Sequence, residues 1–130
     1  MLYVFPVTIP ANTLASNPVI QDLPLTAGTI TRMMLQYPAG ALGLDHLVIR
    51  DGLYQVWPSN PEANFSTSDE IITWLEEYVL DTTPYDLTAY AWNLDDTYPH
   101  TITIRIELQP AVAQTSLTDQ IKSLLGIGGA

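Results

Sequence analysis

Apolar and polar side chains alternate in short runs along this chain, and most runs end in a cluster of turn residues. In "TITIRIEL", Ile102, Ile104, Ile106 and Leu108 fall on one side, with Thr101, Thr103, Arg105 and Glu107 on the other. A period of two with one wet side marks a half-buried antiparallel strand. "YDLTAYAWN" reads the same way. Between Gly28 and Pro38–Gly40, Ile30, Arg32, Met34 and Gln36 alternate with Thr31, Met33, Leu35 and Tyr37. "LDHLVIRDG" sets Leu44, His46, Val48 and Arg50 against Asp45, Leu47 and Ile49. Asp51–Gly52 then turns straight into "LYQVW", which predicts a hairpin. "LYVFPVTI" alternates loosely and leads into the turn-rich "ANTLASNP". "VIQDLPL" is a short strand whose Pro24 suits a sheet edge or a bulge.

"DEIITWLEEYVL" is ambiguous. As a helix, its apolar residues would surround the axis. As a strand, Ile72, Trp74, Glu76 and Tyr78 alternate with Ile71, Thr73, Leu75, Glu77 and Val79. The β-branched and aromatic content favours the strand. "PSNPEANFSTS" before it is a long polar loop. After Pro110 the period changes: Thr115 or Ser116 offers an N-cap, Asp119 falls in the first turn, and Gly126 stops the run. Leu117, Ile121, Leu124 and Leu125 form the stripe of a short amphipathic helix, which must dock on its own domain or on another chain.

About eight strands, with no helices between them, predict an all-β fold: an antiparallel β-sandwich or barrel, jelly-roll-like, with a short C-terminal amphipathic helix. Residues 1–110 form the β domain and 111–130 the tail. The length of 130 residues suits one such domain.

Composition narrows the function. Hydrophobic residues make up 47% of the chain and charged ones only 14%, so the chain folds and its surface is largely uncharged. Net charge is −10, and the only cations are Arg32, Arg50, Arg105 and Lys122. A phosphate-binding surface needs clustered cations, so nucleic acid is excluded as a partner and an anionic membrane is disfavoured. There is no cysteine, hence no disulfide, thiolate site or cysteine nucleophile. "MLYVFPVTIP" lacks a basic segment and does not read as a secretory signal.

Candidate chemistry is sparse. "NLDDTYPH" packs Asp95, Asp96 and His100 ahead of a regular strand. His46 and His100, with Asp45 or Asp96, would make a two-histidine-plus-acid metal site. The plainer reading is a loop rim, with His46 along a strand and His100 at a strand start, and no metal or cofactor is expected. Asp81, Asp86, Asp95 and Asp96 are candidate calcium ligands without a calcium motif. No pair of acids is singled out for glycosidase work, and there is no G-x-S-x-G. Trp57, Trp74 and Trp92, with Tyr54, Tyr78, Tyr85, Tyr90 and Tyr98, raise a carbohydrate-binding module as the rival class; packing in strands is their default use. Asn64–Ser66 matches a glycosylation sequon.

The order of "IPANT" and "NPV", "LTAGTITRMMLQYPAGALGLDHLVI", "GLYQVWPSNPEANF" and "PYDLTAYAWNLDDTYPHTITIRIEL" resembles small β-rich virion proteins of tailed bacteriophages and prophages, above all those that decorate capsids. The likeness covers about residues 7 to 108 and carries no catalytic signature. It implies a non-enzymatic structural protein on the outer surface of the capsid, bound to the major capsid protein as a homo-oligomer, often a homotrimer. A tail or fibre role fits the same pattern. The tail residues Leu117, Ile121, Leu124 and Leu125 are then candidate assembly contacts.

Overall fold

The structure is a computed structural model that describes residues 1–111. It holds eight strands: β1 (Leu2–Ile9), β2 (Val19–Pro24), β3 (Gly28–Gln36), β4 (Asp45–Asp51), β5 (Tyr54–Trp57), β6 (Ile71–Leu80), β7 (Asp86–Asn93) and β8 (His100–Pro110). The described residues contain no helix. The expected C-terminal helix, with Leu117, Ile121, Leu124 and Leu125, lies outside the described residues.

The strands pair as a nested ribbon. β4 pairs with β5 at the tip, then β3 with β6, β2 with β7 and β1 with β8, all antiparallel. At the tip, Gly52 takes φ +60°, a conformation glycine adopts without a Cβ penalty. Two further pairings, β3 with β8 and β4 with β7, join the ribbon into two four-stranded sheets, in the orders β1-β8-β3-β6 and β2-β7-β4-β5. Pro24 ends the edge strand β2, where a missing N–H costs no ladder bond.

The ambiguous segment is β6. Its Ile72, Trp74 and Tyr78 pack against a core shared by both sheets, while Ile71, Leu75 and Val79 point out. Ile102, Ile104 and Ile106 of β8 and Leu87, Ala89 and Ala91 of β7, from the two sheets, share that core, and all are fully buried. The alternation seen in the sequence is therefore the two sides of each sheet.

Candidate functional site

One end of the shared core is polar. Asp45 opens β4 on the same side as Leu47 and Ile49, so the strand period drives its carboxylate inward. Asn93 ends β7 directly opposite, in register with Asp45. His100 opens β8 in the other sheet. Its Nδ1 lies 2.6 Å from Asp45 Oδ1 and its Nε2 lies 3.1 Å from Asp95 Oδ2. Asn93 Nδ2 donates to the carbonyls of Ile9 (3.3 Å) and Tyr98 (2.9 Å), and its Oδ1 accepts the Asp95 N–H at 2.9 Å. These bonds fasten the β7–β8 loop over the end of both sheets.

The two carboxyls sit in opposite environments. Burial pushes the Asp45 carboxyl above the usual range, partly offset by its hydrogen bond and charge contact with His100. Asp45 Oδ2 has no hydrogen-bond partner among the described residues. Asp95 is held below the usual range, first by the backbone N–H groups of Thr97 and Tyr98 and then by His100. Such a relay can hold a proton. Both ring nitrogens of His100 face carboxylates, which leaves neither directed at a substrate.

The sequence-flagged residues divide here. Asp95 and His100 are brought together, and they are joined by Asp45 rather than Asp96; Asp96 instead accepts from the Thr97 hydroxyl at 2.8 Å. His100 is a core-capping group, not a rim residue, because position 100 falls on the Ile102–Ile104–Ile106 side of β8. His46 points to the opposite side of its sheet from Asp45. It stacks on Trp92 with centroids 5.2 Å apart and meets Asn64 Oδ1 at 2.6 Å through Nδ1. Asp81 and Asp86 lie at one end of β7, and Asp95 and Asp96 at the other. Eight extended residues at ~3.3 Å each keep those pairs apart. Among the described residues, no group of three or more His, Asp or Glu is arranged to hold a metal ion.

Trp57 and Trp74 are used internally. Glu76 turns inward from β6, and its Oε1 accepts the indole N–H of Trp57 at 2.6 Å and of Trp74 at 3.2 Å. Tyr78 packs edge-on to Trp57 and donates to Asp51 Oδ2 at 2.6 Å. On the outer side of the β2-β7-β4-β5 sheet, Val48, Tyr90 and Trp92 floor a groove of about 430 Å³, walled by residues 61–64. The Arg50 guanidinium lies over the Tyr90 ring, 4.3 Å from its centroid. Sequence reasoning missed the inward Glu76, although its place in the Trp74–Tyr78 alternation signals it.

The outer side of the β1-β8-β3-β6 sheet is built differently. Register sets its side chains in rows across the four strands. One row runs Leu2, Glu107, Arg32, Leu75, and the next Val4, Arg105, Met34, Thr73. The third runs Pro6, Thr103, Gln36, Ile71. Arg32 Nε lies 3.5 Å from Glu107 Oε2, and Arg105 Nη1 donates to Gln36 Oε1 at 2.7 Å. Apolar groups hold the two edges: Leu2 is 56% exposed, Leu75 74% and Val79 55%. Among the described residues, two arginines (Arg32, Arg105) and two glutamates (Glu77, Glu107) are the ionisable side chains on this face, so its side-chain charges balance on a chain of net charge −10.

No protein-family model matches the sequence, and comparison with curated proteins finds no match.

Proposed function

We propose that this chain is a non-enzymatic structural protein of a phage virion. It forms a jelly-roll sandwich that assembles with copies of itself and binds the major capsid protein on the outer surface of the head. The nested strand pairing supports the jelly-roll winding, since eight strands folded as one ribbon alternate between two sheets in this order. The observation that carries the function is the neutral outer face of the β1-β8-β3-β6 sheet. The net negative charge of the described residues lies elsewhere, while this face presents apolar edges and a row in which Arg32 and Glu107 pair. Exposed Leu2, Val4, Ile71, Leu75 and Val79 on one sheet face whose charged side chains balance have the composition of an assembly surface.

The polar end of the core supports a structural role, because its histidine is spent on two carboxylates. A carbohydrate-binding module is less well supported. Trp57 and Trp74 serve Glu76, Trp92 stacks on His46, and Arg50 lies over the Tyr90 ring, so these rings already have partners. The exposed Tyr54 and Tyr98 belong to different loops and strands and form no shared platform.

Tailed-phage heads prepared with and without this chain test the proposal. The chain is expected to pellet with the heads and to raise the temperature at which they disrupt. A chain that stays in the supernatant and leaves head stability unchanged would contradict it.

A further inference from the structure

We propose that two copies of this chain pack the outer face of the β1-β8-β3-β6 sheet against itself, about a two-fold axis that runs along the strands between β8 and β3. The inference rests on the self-assembly reading above and specifies its surface, partner and symmetry.

The row pattern selects the axis. A two-fold axis in the plane of the interface, parallel to the strands, brings β1 of one copy opposite β6 of the other and β8 opposite β3, with each row facing itself. In the first row, Leu2 then meets the second copy's Leu75, and Glu107 meets the second copy's Arg32; the symmetric pairs complete the row. In the second row Val4 meets Thr73, and Arg105 meets the aliphatic Met34 rather than another cation. In the third row Pro6 meets Ile71 and Thr103 meets Gln36. Apolar edge residues thus cover apolar edge residues in the first and third rows, and the one opposite-charge pair of the face is matched a second time between the copies. Glu77 falls beside the end of the second copy's β1, at the rim.

The competing two-fold axis runs across the strands. Centred on the same middle row, it sets Arg105 against Arg105 and places Glu107 opposite Thr103, so the match of opposite charges is lost. Like charges facing each other cost affinity, and charge complementarity of this kind fixes register. An isologous contact demands a self-complementary patch, which the row of Leu2, Glu107, Arg32 and Leu75 supplies.

The size of the face is adequate for a specific contact of modest strength. Four strands ~4.8 Å apart, over about seven residues at ~3.3 Å each, span roughly 450 Å². Both copies together bury about 900 Å² before side-chain relief is added, close to the threshold of roughly 1,000 Å² for a specific interface. Inward Glu76 and the register shift opposite Ile30–Arg32 discourage pairing through the backbone edge of β6. Packing through the face needs no such pairing.

The absence of cysteine makes the test clean. The full chain carrying Leu2→Cys with Leu75→Cys is treated with a bismaleimide short enough to bridge sheets packed about 10 Å apart. Both positions are exposed, and circular dichroism checks that the variant is folded. The expected product on a denaturing gel is a covalent dimer and nothing larger, lost when Glu107→Arg is added and regained when Arg32→Glu accompanies it. A ladder or a closed trimer would overturn the two-fold arrangement while leaving self-assembly intact. Uncrosslinked chains that still sediment as an oligomer would show that another surface is used. Uncrosslinked chains that sediment as monomers would overturn both this inference and the reading it rests on.

Discussion

His100 Nδ1 lies 2.6 Å from Asp45 Oδ1, so the first residue of β8 is fastened to the first residue of β4 in the opposite sheet. The bond crosses the core at the end where the β3–β4 and β7–β8 loops meet. A buried carboxylate without a partner is costly, and His100 is the partner that makes Asp45 tolerable there.

His100→Ala should therefore destabilise the fold by about 3 kcal/mol, because it strands the Asp45 carboxylate inside the core. Urea unfolding measures this. A change within experimental error would mean that Asp45 finds another partner.

The two carboxyls should also give opposite pH dependences. Asp95, held low by the Thr97 and Tyr98 N–H groups, stabilises the fold above its unfolded value of about 3.9. That contribution is lost as the pH falls through its lower folded value. Asp45, raised by burial, contributes most below the same reference of about 3.9 and loses its contribution as the pH rises through its higher folded value. Urea midpoints followed from about pH 3 to about pH 8 should show a flattened acid limb in Asp95→Asn and a smaller loss toward neutrality in Asp45→Asn. Identical profiles in both variants would contradict the assignment.

Glu76→Ala removes the acceptor for two indole N–H groups at once. The expected cost is ~1–3 kcal/mol, with a shift in tryptophan emission as the β5–β6 ring cluster loosens. Glu76→Gln keeps one acceptor oxygen and should retain most of the wild-type spectrum.

Gly28 opens β3 where its backbone runs against the end of β8. A Cβ there would fall on the Gln109 carbonyl oxygen and 2.8 Å from Leu108 Cδ2. Gly28→Ala should lower stability by roughly 2 kcal/mol, read from the thermal midpoint. An unchanged midpoint would show that β3 and β8 can separate locally at no cost.

The strands were legible because each side chain's exposure follows the period of two: Ile102, Ile104 and Ile106 are buried and Thr101, Thr103 and Arg105 are not. The hairpin at Asp51–Gly52 and the edge position of Pro24 follow from local turn and proline chemistry. β6 resisted because it is apolar on both sides, with Trp74 and Tyr78 inward and Leu75 and Val79 outward, so no single apolar face stands out. The polar end was half legible. The alternation of Asp45 with Leu47 and Ile49 marks an inward acid, but its pairing with His100 depends on which strands meet across the core. The rows of the outer face were hidden for the same reason, since Leu2 and Leu75 share a row only through two intervening strands.

Sedimentation velocity of the full chain, beside Leu75→Glu, tests the central claim most directly. Leu75 is 74% exposed on the outer face, so its replacement should leave the fold of the single chain, read by circular dichroism, unchanged. The wild-type chain is expected to sediment as a concentration-dependent oligomer and the variant as a monomer. A wild-type chain that sediments as single 130-residue molecules at every concentration would contradict it.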